Sequence, residues 1–256
     1  MVGTVSGDPI SIVAAEDSDF ARFINAISRL PDGVPDWVLI GGVAVVLRVG
    51  GTHRATVDID TLVRDSNRLV ELLLGGGGEQ RAAHKLIVPI ATQLDIMAVG
   101  VVPERSSVEP SEYVFALARE WAFTTATMES VEVQSEGSRV VASASMRIAT
   151  TAALIALKSV SLPRRADTNN PAKATSDTID LLALIETESV DAIAAALAHA
   201  PPALRRWAAT TCDRVFVIDR RYTEARLRVA RQPINPGALL LAGQLAEALA
   251  SDDAAY

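Results

Sequence analysis

Apolar and polar positions along the chain change period several times, and the changes predict its elements. Residues 1–16 read as a loose lead-in, and residues 19–30 carry apolar positions at helical spacing, closed by Pro31-Asp32-Gly33. Asp36-Trp37-Val38-Leu39-Ile40 is a short buried strand, after which Gly41-Gly42 opens an apolar run, 43–49, that turns as a helix. Residues 57–63 alternate: Val57, Ile59 and Val63 fall on one face of a strand, Asp58 and Asp60 on the other. A helix follows over 67–74, ending in the flexible run Gly75-Gly76-Gly77-Gly78, and two strands, 84–90 and 93–99, meet tightly at Ala91-Thr92. Residues 130–134 and 139–142 flank Glu136-Gly137 as a hairpin. From Ser145 onward the period is almost wholly helical, with breaks at 162–174, Pro201-Pro202 and 233–237. The pattern predicts an α+β protein: a mixed β-sheet core over 1–143 and an α-helical domain over 144–256.

The alternating acids carry the chemistry. Asp58 and Asp60 sit about 6.6 Å apart on one strand face, and two like charges so placed are stabilised by a cation. Mg²⁺ prefers carboxylate and phosphate oxygens and keeps waters that a substrate can replace. An isolated Asp-x-Asp is most often a solvated edge strand, but a third acid stands in Leu94-Asp95-Ile96-Met97, between apolar neighbours where a carboxylate is expensive unless used. Three carboxylates can hold two ions about 4 Å apart, as in two-metal phosphoryl chemistry. In that reading Asp58 and Asp60 coordinate both ions and Asp95 the one that activates an acceptor hydroxyl. Gly41 and Gly42 would let backbone N–H groups at a helix start approach the triphosphate of an NTP.

Taken together, Gly41-Gly42, Arg48 and Arg54-x-Thr56-x-Asp58-Ile59-Asp60 resemble the AbiEii and MenT-type nucleotidyltransferases, toxins of abortive-infection and type IV toxin–antitoxin systems. The resemblance implies a nucleotidyltransferase fold, of the DNA polymerase β-like kind, with a helical domain closing the active site. It also implies transfer of NMP from an NTP to a hydroxyl, a tRNA 3′ end as acceptor, and a separately encoded antitoxin as partner. That family carries a lysine on a helix after the core sheet and, about twenty residues on, an acidic pair opening another helix; Lys158 and Asp177-Thr178-Ile179-Asp180 stand at those positions. A basic residue often precedes the first of those acids, where this chain has Ser176.

On the residues alone, Lys158 ends a ten-residue uncharged run and is either a helix terminus reaching for water or a phosphate ligand. Asp177 can be an N-cap with Asp180 at the third helical position, or one of the two can be a functional acid, with Asp180, one turn on, also placed to position Lys158; the sequence does not choose. Arg48 and Arg54 are candidate phosphate clamps, and Thr56, two residues before Asp58, a candidate lining residue of the nucleotide pocket.

Composition narrows the alternatives. The formal charge of −7 argues against indiscriminate nucleic-acid binding. Locally, residues 205–231 hold eight arginines against Asp213, Asp219 and Glu224, which is either a solvated helical face or a track for an RNA backbone with Arg220, Arg221, Arg226 and Arg228 as members. The single cysteine, Cys212, and the scattered His53, His84 and His199 make no zinc site, and no apolar run approaches the length of a membrane span. A cytoplasmic enzyme is expected. The competing readings are a small-molecule nucleotidyltransferase of the antibiotic-modifying kind and a non-catalytic module that grips a nucleotide or a partner.

Overall fold

The computed structural model describes residues 7–28, 35–51, 58–82, 85–88, 92–167, 170–230 and 235–253. The protein is α+β, with a mixed sheet and helices. It divides into two compact units, Met1–Gly100 with Phe123–Thr150 and Val101–Ala122 with Thr151–Tyr256. The division differs from the expected single cut at 143: the last strand runs on to Ile148, and Val101–Ala122 belongs with the helical unit.

Among the described residues of the first unit, eight strands form one sheet: β1 (Ile10–Val13), β2 (Trp37–Ile40), β3 (Asp58–Val63), β4 (Glu79–Ala82), β5 (Lys85–Val88), β6 (Thr92–Ala98), β7 (Thr127–Gln134) and β8 (Val140–Ile148). Their order is β1-β7-β8-β2-β3-β6-β5-β4. The centre of the sheet positions the acids: β2 runs antiparallel to β3, and β3 parallel to β6. On the odd-numbered face of β3, Val63 packs with Ile96 of β6 against Leu69 and Leu73 of helix α3 (Ser66–Gly75). The lead-in is not structureless, since β1 pairs in parallel with β7. The expected flexible glycine run is a helix end: Gly76 caps α3, Gly77 has φ +91°, and the N–H of Gly78 bonds the Leu73 carbonyl directly before β4.

Helix α1 (Asp19–Ile27) is capped by Ser18, whose side chain accepts from the Ala21 N–H. Helix α2 (Gly41–Val49) is buried from Gly42 to Leu47, as its all-apolar sequence requires, and packs on β3. Its one cation, Arg48, does not face a phosphate site. The Arg48 guanidinium donates to Glu129 Oε1 at 2.8 Å, Thr127 Oγ1 at 2.7 Å and the carbonyls of Ile148 and Ala149 at 3.0 Å each, tying the end of α2 to β7 and β8. Arg48→Met strands a largely buried carboxylate and two carbonyls. It is expected to cost roughly 2–4 kcal/mol in urea unfolding, and a loss within error of zero would remove Arg48 from this role.

The second unit holds α4 (Pro110–Thr125, all but its last residues), α5 (Thr151–Asp167), α6 (Pro171–Ile185), α7 (Val190–Ala198), α8 (Pro202–Cys212), α9 (Arg220–Val229) and α10 (Pro236–Asp253). A π-helical stretch, Asp213–Ile218, joins α8 to α9. The core is built from Leu154, Ile155, Leu181, Leu184, Ile185 and Phe216, all fully buried. The break expected at 162–174 is corrected: α5 continues through Pro163 to Asp167, and α6 starts at Pro171 behind an Asn170 cap. Proline at 163 deprives the Ser159 carbonyl of its helical donor. The Thr211 hydroxyl of α8 supplies one instead, at 3.1 Å. Among the described residues, no helix is long and apolar enough to cross a membrane.

Candidate metal site and the buried lysine

Strand register brings the three predicted acids together. Asp60 lies opposite Asp95 in the parallel β3–β6 ladder, and Asp58 lies opposite Gln93, so all four side chains share one face. One carboxylate oxygen from each of Asp58, Asp60 and Asp95 lies within 4.8 Å of the others, and all three residues are half-buried. Gln93 Nε2 donates to Asp95 Oδ1 at 2.7 Å, fixing that carboxylate, and the Thr61 hydroxyl donates to the Asp95 carbonyl at 3.2 Å. The sequence reading missed Gln93, although its place two residues before Asp95 on a strand was signal enough.

Oxygens on one Mg²⁺ stand about 3 Å apart when adjacent and about 4 Å when opposite, from bonds of about 2.1 Å. A hard, all-oxygen donor set spread over no more than 4.8 Å therefore fits that ion after small rotamer changes. The residues suit the cation that the alternating acids imply.

Gly41 has a sharper role than the expected phosphate turn. Ile40 pairs with Asp60 across β2 and β3, so the chain turns at once over the Asp60 side chain. Gly41 has φ +69°, and a Cβ there would stand 1.9 Å from Asp60 Oδ2 and 2.7 Å from Asp60 Cβ and Cγ. Absence of a side chain at 41 is what allows Asp60 its position. Ile40, at the N-cap, makes no side-chain capping bond, so the start of α2, with Gly42 in its first turn, presents the positive end of its dipole beside that carboxylate. Arg54 and Thr56, the other candidate nucleotide ligands, lie outside the described residues.

Lys158, Asp177 and Asp180 form a separate cluster within the helical unit. Lys158 is neither a helix terminus nor open to a phosphate: it lies inside α5, 6% exposed, with Nζ 2.7 Å from Asp177 Oδ1 and 2.6 Å from Asp180 Oδ2. Both acids sit in the middle of α6, not at its start, because Asn170 supplies the cap. The Ser161 hydroxyl lies 3.1 Å from Asp177 Oδ2, and Arg165 Nε is 3.7 Å away. Burial pulls the Lys158 pKa down, but the charges of Asp177 and Asp180 and their hydrogen bonds outweigh it, leaving the ammonium above its ordinary value. Both aspartates hold Lys158, which pins α5 to α6.

The four arginines expected to form a track are not equivalent. Arg220 and Arg228 both reach Glu224, at 3.0 and 3.3 Å, and Arg221 is exposed. Arg226 turns inward, donating to Thr178 Oγ1 at 2.5 Å. No protein-family model matches the chain, and no curated protein matches it significantly in sequence.

Proposed function

We propose that the protein is a metal-dependent nucleotidyltransferase built on a nucleotidyltransferase-type sheet. The observation that carries this reading is the convergence of Asp58, Asp60 and Asp95 from two adjacent parallel strands, with α2 opening directly over Asp60. In the proposed reaction an acceptor hydroxyl oxygen bonds to the α-phosphorus of an NTP, the bond from that phosphorus to the β-phosphate oxygen breaks, and pyrophosphate leaves while the hydroxyl proton passes to solvent. Mg²⁺, bound by the three aspartates, would offset phosphate charge and favour the alkoxide form of the acceptor. Gln93 holds Asp95 in one rotamer, and Gly41 gives the Asp60 carboxylate its space. The helix start at Gly41 and Gly42 favours an anion at the same place.

The acceptor we put forward is a tRNA 3′ end, and the role a toxin checked by an antitoxin. Both rest on the resemblance of Gly41-Gly42 and Arg54-x-Thr56-x-Asp58-Ile59-Asp60 alone. The test incubates the protein, or Asp60→Asn, with Mg²⁺, each labelled NTP in turn and total tRNA, reading label on an RNA gel and pyrophosphate in solution. Wild-type label that falls at least a thousandfold in the variant is expected. Absence of both label and pyrophosphate with all four NTPs would end the proposal, whereas pyrophosphate without RNA label would retain the chemistry and reject the acceptor.

A further inference from the structure

A cavity of about 760 Å³ lies wholly within the helical unit, lined from α4, α5, α8, the π-helical stretch and α9. Nothing in the metal-site reading uses it. Its volume falls in the range of small-molecule sites, about 300–1,000 Å³.

The lining charge is one-sided. Arg105, Arg164, Arg206, Arg214 and Arg226 contribute to it against one carboxylate, Asp219, an excess of four positive charges. Asp219 is itself taken by Arg214, at 3.6 Å. Arg226 is the telling member. Arg226 is half-buried, and among the described residues it has no carboxylate partner, bonds Thr178, has the Tyr222 ring 5.8 Å away, and keeps its Nε buried without an acceptor. Burial lowers its pKa, only partly offset by Tyr222. A guanidinium withdrawn from water without a counter-charge is unfavourable unless an anion completes it. Crowding of like charge extends behind the wall: Arg164 and Arg119 both stack on the Phe115 ring, each 4.9 Å from its centroid.

The remainder of the lining is aromatic and polar. Trp207, Tyr113 and Tyr222 contribute rings in a chain that is only 4% aromatic. The Trp207 indole Nε1 is buried and has no acceptor among the described residues. Guanidinium groups suit phosphate oxygens, aromatic faces suit a planar base, and an unsatisfied indole N–H suits a ring or sugar oxygen.

We propose that this cavity binds a nucleoside phosphate, its phosphate held by Arg226 and Arg206 and its base against Trp207 and Tyr222, supplied either as a free nucleotide or as the terminal unit of an RNA strand. The site belongs to the helical unit alone and does not depend on the metal-site reading.

Calorimetric titration of the full chain carrying Asp60→Asn, in EDTA to silence the aspartate cluster, tests it. The probes are AMP, CMP, GMP and UMP, the matching nucleosides, inorganic phosphate and a short single-stranded RNA. At least one nucleotide, or the RNA, is expected to bind tenfold or more tightly than nucleoside or phosphate. Arg226→Gln is expected to weaken that binding at least tenfold. Arg206→Gln and Tyr222→Ala, at exposed lining positions, should each weaken it severalfold with the melting temperature checked alongside, and Arg228→Gln should leave it unchanged. Preference for mononucleotide identifies the free ligand, and preference for RNA identifies a strand end. No binding at millimolar concentration, phosphate binding as tightly as nucleotide, or affinity indifferent to Arg206→Gln and Tyr222→Ala would each overturn the assignment.

Discussion

Alanine at position 41 is expected to lower the proposed nucleotidyl transfer by two orders of magnitude or more, although it adds one methyl group and replaces none of the candidate ligands. That methyl would stand 1.9 Å from Asp60 Oδ2 and 2.7 Å from Asp60 Cβ, so rotating the carboxylate does not relieve the clash and the strand itself must yield. A second cost comes from the backbone: φ +69° is disfavoured for alanine by about 1–2 kcal/mol. Gly50→Ala separates the two effects. Gly50 also has positive φ, +76°, at the end of the same helix, but a Cβ there meets nothing within 4 Å. It should lose about 1–2 kcal/mol of stability and keep its activity, whereas Gly41→Ala should lose Mn²⁺ affinity as well, read by titration of the spin signal. Equal activity in the two variants would mean that Asp60 is not a ligand.

The largest effect on stability is expected at Lys158. Lys158→Met leaves Asp177 and Asp180, 2% and 0% exposed, without their shared cation. Breaking such a buried arrangement costs about 3–5 kcal/mol, enough to lower the melting temperature of the helical unit by roughly 10 °C or more. Adding Asp177→Asn and Asp180→Asn should recover part of that loss, since no buried charge is then stranded. A drop under about 3 °C would contradict the structural role. The pH dependence has a definite sign. The folded pKa of Lys158 lies above its ordinary 10.5, so the folded state holds its proton more tightly than the unfolded state. The stabilisation is complete below pH 10.5 and declines as pH rises through the folded pKa. Cys212 acts in the same direction: burial, slightly opposed by a bond to Ser159, raises its thiol from 9.0 to about 12, so stability also falls across that interval. Chemical unfolding at stepped alkaline pH should show both losses in the wild type and only the cysteine component in Lys158→Met.

The acidic site was legible because its signals are local. Asp58 and Asp60 alternate with Ile59 on a period-two strand, and Asp95 interrupts an apolar one, so the shared face could be inferred without knowing the sheet order. What escaped depends on partners distant in sequence. Strand β1 is four residues long, too short for a period to stand out, and exists by pairing with β7 some 120 residues later. Helix α4 had no counterpart among the expected elements. The aspartates of α6 looked like a helix start because acids favour that place; only the position of Lys158, nineteen residues back on a neighbouring helix, shows why they lie mid-helix and buried. Gly41 was singled out as a phosphate turn, but the atom that leaves no room for a side chain there belongs to another strand.

The hydroxyl that Thr211 lends to Ser159 has a consequence for how the helical unit assembles. The last turns of α5 cross a proline and contain a carbonyl whose donor lies 52 residues ahead, so they are incompletely bonded until α8 has formed and docked. Helix α5 is not finished by local interactions alone. Protection of α5 amides beyond Pro163 from hydrogen exchange should therefore appear together with that of α8 during refolding, as one cooperative event, and a nascent chain that ends before α8 would carry α5 with its end still frayed.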